Sequence, residues 1–169
     1  MLRRVERPSR REPEPGQESV WDYPRPPRLE RSDAAIRVVL GGVTVVETDR
    51  SWRVLETASP PVHYIDPVDI AAGVLQPAAG GSWCEWKGQA SYFDLVAGGK
   101  VASQAAWCYP TPSPNFRAIA GHVAIYPGRV DACFLDGEQV QAQPGNFYGG
   151  WITSRVTGPF KGDPGTLGW

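Results

Sequence analysis

Apolar positions along the chain fall into short alternating runs separated by glycine pairs, not into helical stripes. Ile36-Arg37-Val38-Val39-Leu40 and Val43-Thr44-Val45-Val46-Glu47-Thr48 flank Gly41-Gly42. Such a pair supplies the positive φ that a two-residue hairpin turn requires. The arrangement recurs twice: Ala90 to Ala97 and Lys100 to Tyr109 flank Gly98-Gly99, and Cys133-Phe134-Leu135 and Glu138-Gln139-Val140 flank Asp136-Gly137. Ser51 to Thr57 predicts a further strand, with Trp52, Val54 and Glu56 on one face and Arg53 and Leu55 on the other. Ser82 to Trp86 and His122 to Tyr126 add to a set of roughly seven to nine strands. One short helix is predicted from Asp66, ending by Gly73. There Asp66 caps, Pro67 suits the first helical position, and Asp69 stands where a capping box has its acid.

Composition supports the same reading. Gly 19 and Pro 17 among 169 residues are too many breakers for a helical bundle, so a mostly β fold of hairpins is expected. Residues 1–19 are rich in Arg, Pro and Glu with almost nothing to bury, and read as a disordered tail. One domain is then expected over residues 20–169, beginning at Val20-Trp21-Asp22-Tyr23-Pro24. Its last stretch, from Pro144 to Trp169, is rich in Gly and aromatics and reads as a fixed cover, because Phe147, Tyr148, Trp151, Phe160 and Trp169 need burial. A net charge of -1 offers no electrostatic case for nucleic acid. No apolar run reaches spanning length and none opens the chain, so no membrane partner and a cytoplasmic location are expected. Nothing in the pattern specifies an oligomeric state.

Cys84, Cys108 and Cys133 are odd in number and widely spaced, which is not a disulfide framework. Cys84 and Cys108 with His63 and His122 could supply four zinc ligands, but no Cys-x-x-Cys pair occurs, so neither a zinc site nor another cofactor is expected. Gly158 to Asp163 has Asp163 where a phosphate-binding loop has lysine. A nucleotidyltransferase centre needs paired carboxylates after Gly-Ser; Asp94 follows Gly81-Ser82, but Val96 stands at the second position. Cys84 lies three residues before Lys87, and a nearby cation favours a thiolate, with His122 as a base if the fold brings it close.

The densest signal is aromatic. Seven Trp, six Tyr and five Phe are many for one small core, and rings interleaved with a few charges are the material of ligand pockets. Glu56, Lys87 and Tyr109 are the candidate catalytic groups. Glu56 would accept from a ligand N–H or act as base, and Lys87 would pair with an anion or oxyanion. Arg53, Tyr64, Trp83, Trp107, Tyr148 and Trp151 are the candidate ligand contacts. The expected function is small-molecule binding, with acid–base chemistry on the ligand as its catalytic extension. Two rivals stay open: an enzyme with Cys84 as nucleophile, and a non-catalytic partner-binding module.

Several segments also carry a family resemblance: Trp21-Asp22-Tyr23-Pro24-Arg25-Pro26-Pro27, Arg53-Val54-Leu55-Glu56-Thr57, Pro60-Pro61-Val62-His63-Tyr64, Cys84 to Tyr92, Ala106-Trp107-Cys108-Tyr109-Pro110, Tyr126-Pro127 and Phe147-Tyr148-Gly149-Gly150-Trp151. In these the chain resembles a bacterial domain-of-unknown-function family, number 427, sometimes labelled nucleotidyltransferase-like. The resemblance implies a β-tent, two antiparallel sheets leaning together, similar to the thalidomide-binding domain of cereblon and to methionine-sulfoxide reductase B. Those relatives typically carry zinc on paired Cys-x-x-Cys motifs, which this sequence lacks. A likeness of fold leaves the function to be argued from the site.

Overall fold

A computed structural model describes residues 7–169. Its strands, in chain order, are β1 (Glu18–Ser19), β2 (Arg28–Ser32), β3 (Ile36–Leu40), β4 (Val43–Thr48), β5 (Ser51–Leu55), β6 (Val62–Tyr64), β7 (Leu75–Cys84), β8 (Gly88–Ala97) and β9 (Lys100–Cys108). They continue with β10 (Val123–Ile125), β11 (Ala132–Leu135), β12 (Glu138–Gln139), β13 (Gln141–Ala142), β14 (Trp151–Ile152) and β15 (Val156–Thr157). The protein is mostly β, as its hairpin pattern predicts. The strands divide among three principal antiparallel sheets, ordered β10-β9-β8-β7, β12-β11-β3-β4 and β2-β5-β6, with two small two-stranded pairings besides.

All three predicted hairpins form, and their turns show why these residues are used. Gly41, Gly42, Gly98, Gly99, Asp136 and Gly137 all have positive φ. The first two turns also touch each other: a Cβ on Gly98 would lie 2.0 Å from the Gly41 carbonyl oxygen. Here glycine is required by packing as well as by backbone conformation.

β7 is the element the pattern underestimates. It begins at Leu75, well before Ser82, and runs through Pro77, Gly80 and Gly81 with a break in register between Pro77 and Gly81. An edge strand tolerates proline and bulges because one side needs no partner.

The predicted helix is only a 3-10 turn, Pro67–Asp69. Asp66 does cap it, accepting from the Val68 N–H at 3.1 Å. Asp69 closes no capping box; it accepts from Thr48 Oγ1 at 2.9 Å and from Arg50 Nε at 2.8 Å. Arg50 thus pulls the acid onto β4 and β5, and the turn ends at once. A further 3-10 segment, Pro114–Ile119, follows β9.

At the N-terminus, part of the expected tail, residues 1–6, lies outside the described residues. Sheet pairing reaches two residues into the stretch assigned to that tail, because Glu18–Ser19 lies parallel to Val156–Thr157. Arg10 also pairs with Asp22. From Pro144 onward the aromatic residues are buried to different degrees. Trp151 is fully buried, donating from Nε1 to the Ile125 carbonyl at 3.0 Å, whereas Phe147 stays 59% exposed.

Two apolar clusters meet at the β10-β9-β8-β7 sheet. Its inner face contributes Ala106, Cys108, Val123 and Ile125 to a core shared with Ile36, Val38, Val45 and Cys133. Its outer face contributes Trp107, Tyr109, Ala124 and Tyr126 to a second cluster with Val54 and Tyr64. Alternation along β9 and β10 produces this division, and burial on both faces explains their near-continuous apolar character. The second cluster positions the site.

Candidate ligand-binding cleft

The aromatic cluster is open on one side, and the opening is a cleft of about 250 Å3. Val54 and Glu56 on and beside β5, with Val62 and Tyr64 of β6, form one wall. The β7–β8 turn closes one end with Cys84, Trp86 and Lys87, and Trp107 and Tyr109 form the floor. Tyr126, Gln143, Tyr148 and Gly149 complete the far side, with Lys161 above them.

Packing fixes the floor. Trp107 lies 4.5 Å from Tyr126, centroid to centroid, and 6.3 Å edge-on from Tyr64, which is also 6.3 Å from Tyr109. Gly149 lets the far side approach: a Cβ there would lie 2.2 Å from the Trp107 ring. Gln143 ties that side together, accepting from the Gly150 N–H at 3.0 Å and donating to the Lys161 carbonyl at 2.7 Å. The β7–β8 turn is pinned from outside, since Ser113 donates from its hydroxyl to the Trp86 carbonyl and from its N–H to the Lys87 carbonyl.

Seven of the nine residues singled out from sequence line this cleft: Glu56, Tyr64, Trp83, Lys87, Trp107, Tyr109 and Tyr148. Trp83 is 71% exposed, so it stands at the mouth and is not a wall. Lys87 is only 8% exposed, with Nζ 5.7 Å from the Tyr109 ring centroid and 5.8 Å from that of Phe116. Glu56 pairs with Arg25 at 3.4 Å, not with Lys87. Burial holds the Tyr64 and Tyr109 phenols well above their ordinary pKa, so both are neutral hydrogen-bonding groups and neither is a base.

Arg53 and Trp151 do not belong to the cleft. Alternation along β5 sends Arg53 to the opposite face, in register with Glu30 and His63. There its guanidinium bonds Glu18 at 2.8 Å and Glu30 at 2.8 Å. Trp151 packs on the same face of β5 as Arg53, away from the cleft, with its ring 4.9 Å from His63. Conversely, Val62, Tyr126, Gln143, Gly149 and Lys161 line the cleft and were not singled out. The Tyr126-Pro127 and Gly149-Gly150 motifs were visible in the sequence, but nothing local says which way they face.

Cys84 is half-buried within the cleft beside Tyr64 and Tyr109. His122, its candidate base, lines a different depression of about 620 Å3 with Arg31, Asp49, Arg50 and Trp52, so the pair is not assembled. That larger depression has one tryptophan and no tyrosine or phenylalanine in its lining, and its Arg50 is tied to Asp69. Asp94, the lone carboxylate of the nucleotidyltransferase pattern, accepts from the Gln104 N–H at 2.8 Å. Among the described residues, no three His, Cys, Asp or Glu side chains gather as metal ligands would. No described helix is long and apolar enough to cross a membrane.

Fold and packing together define a class: a mostly β domain with a buried aromatic cluster against the outer face of its β10-β9-β8-β7 sheet. The chain belongs to the domain of unknown function family DUF427, whose sequence pattern it matches over residues 28–136. The matched span holds Glu56, Tyr64, Lys87, Trp107 and Tyr109, while Tyr148 and Lys161 lie beyond it. No curated protein matches the chain.

Proposed function

We propose that this domain binds a small, flat, partly apolar molecule in the aromatic cleft. The observation that carries the reading is the state of the rings around the opening. Trp83 and Phe147 stand 71% and 59% exposed at the mouth of a cleft floored by Trp107 and Tyr109. Exposed large aromatics cost solvation and contribute little to the fold, whereas a ligand entering between them would cover apolar surface worth roughly 25 cal/mol per Å2. At about 250 Å3 the cleft lies just below the usual range of ligand pockets, roughly 300–1,000 Å3, so a one- or two-ring compound fits better than a nucleotide.

Glu56 at the lip is the carboxylate best placed to meet a ligand N–H or to move a proton, with Arg25 holding its orientation. A thermal-shift screen of one- and two-ring metabolites tests the reading, because a ligand at a hundredfold excess over its Kd raises stability by about 2.7 kcal/mol. Hits that disappear in Trp107→Ala would support it. A screen silent throughout would end it. The second reading, covalent chemistry at Cys84, is favoured only by the half-buried thiol within the same cleft. Iodoacetamide labelling no faster than that of Cys108 or Cys133 in the folded protein would remove it.

A further inference from the structure

Lys87 is a charged group that the fold itself leaves unused. It is 92% buried by its 8% exposure, yet it lines the cleft. Among the described residues, the ion pairs engage Arg10, Arg25, Arg28, Arg50, Arg53, Lys100 and Arg155, and no carboxylate lies within pairing distance of Lys87. Its flanking groups are the Tyr109 and Phe116 rings, which offer cation–π attraction but do not neutralise the charge. Glu56 is engaged by Arg25, and Glu85, two residues before Lys87, is exposed at the rim. The backbone of the turn is already satisfied by Ser113, so the ammonium has no capping role there.

A second ammonium, Lys161, faces the same space, 5.3 Å from the Tyr148 ring centroid, and it also lacks a carboxylate partner among the described residues. The cleft therefore offers two ammonium groups against two carboxylates, one of them already paired. The Lys87 stem is buried among rings while its Nζ opens on the cleft, outside the set of buried polar atoms without a partner, so without a ligand water is what solvates it. Ligand binding is the event that would supply the partner.

We infer that the ligand is an aromatic acid: a flat ring system seated among Trp107, Tyr109 and Tyr148, with one carboxylate on the Lys87 ammonium. The inference rests on the small-molecule reading above and specifies its ligand class. A single anionic oxygen pair matches one buried lysine in an aromatic setting. Phosphate groups usually meet arginine forks or runs of backbone N–H groups, and the cleft lining contains no arginine.

The test compares three probes of one shape and different charge on the full chain: 2-naphthoate, 2-naphthamide and 2-naphthylmethylammonium, titrated by calorimetry. The acid is expected to bind at least about tenfold more tightly than the amide, as one charge-assisted hydrogen bond in a partly dry site supplies, with the amine weakest. Lys87→Met is expected to bring acid and amide to within about twofold of each other, while Lys87→Arg keeps most of the preference. Because the comparison of probes is made first on the unmutated protein, it holds even where Lys87→Met fails to fold. Equal binding of acid and amide overturns the anion site and leaves the aromatic cleft standing. Failure of all three probes to bind overturns both.

Discussion

Lowering the pH from about 7 to about 5 should weaken this protein through one side chain, His63 of β6. The imidazole is fully buried, its Nδ1 has no hydrogen-bond partner, and it lies between the Trp151 ring and the register neighbour Arg53. Burial first, and then the positive charge of Arg53, pull its pKa from 6.5 down to about 3. In the unfolded chain the same ring takes up a proton near its ordinary value. Below that value the unfolded state binds a proton that the native state refuses, so stability falls as pH falls, by about 1.4 kcal/mol per unit. At pH 5 the loss is about 2 kcal/mol, and it continues until the native ring itself protonates. The paired carboxylates Glu18, Asp69 and Asp136, whose pKa values are held low by Arg53, by Arg50 and by the Ala35 N–H with Arg155, respectively, lose their own contributions at lower pH. The window from pH 7 to pH 5 therefore isolates the histidine. Urea unfolding at the two pH values reads the effect directly: with a slope of roughly 2 kcal/mol per M, the midpoint should drop by about 1 M. His63→Gln keeps a polar side chain at the position without a titrating group, and it should flatten the dependence. A wild-type midpoint unchanged over this range, or an equal drop in His63→Gln, would refute the reasoning.

Three further expectations follow from the cleft and its supports. Gly149→Ala should cost about 1–3 kcal/mol and displace the Trp107 ring, because its methyl would sit 2.2 Å from that ring; near-ultraviolet circular dichroism and urea unfolding report both effects. Trp83→Ala should change stability by less than about 0.5 kcal/mol, since the ring is 71% exposed, while weakening capture of the naphthoate probe; equal probe affinity would remove Trp83 from the mouth of the site. Trp151→Ala should destabilise by about 3–5 kcal/mol, because it empties a fully buried position and orphans the Ile125 carbonyl; a loss below about 1 kcal/mol would contradict its assignment to the core.

What the sequence determined by itself is local. The Gly41-Gly42, Gly98-Gly99 and Asp136-Gly137 turns need positive φ, and few residue types provide it, so the hairpins could be read directly. The same locality made Asp66 legible as a cap and, through strand parity, put Arg53 and Glu56 on opposite faces, although Arg53 was still expected in the cleft. It failed where a residue's role depends on a partner far along the chain. Asp69 looks like a capping acid until Arg50 takes it, and Pro77 and Gly80 look like breakers until β7 proves to be an edge. The aromatic residues could be recognised as too many for one core, but composition cannot assign a ring to a face. Trp107 and Trp151 are both nearly inaccessible tryptophans, yet one floors the cleft and the other fills the opposite core. Tertiary structure decided that, by closing the β2-β5-β6 sheet and the chain around residues 143–149 over the outer face of β9 and β10. The same closure left the Lys87 stem buried and its Nζ facing the cleft with no carboxylate partner among the described residues, a combination that exists only once segments distant in sequence have met.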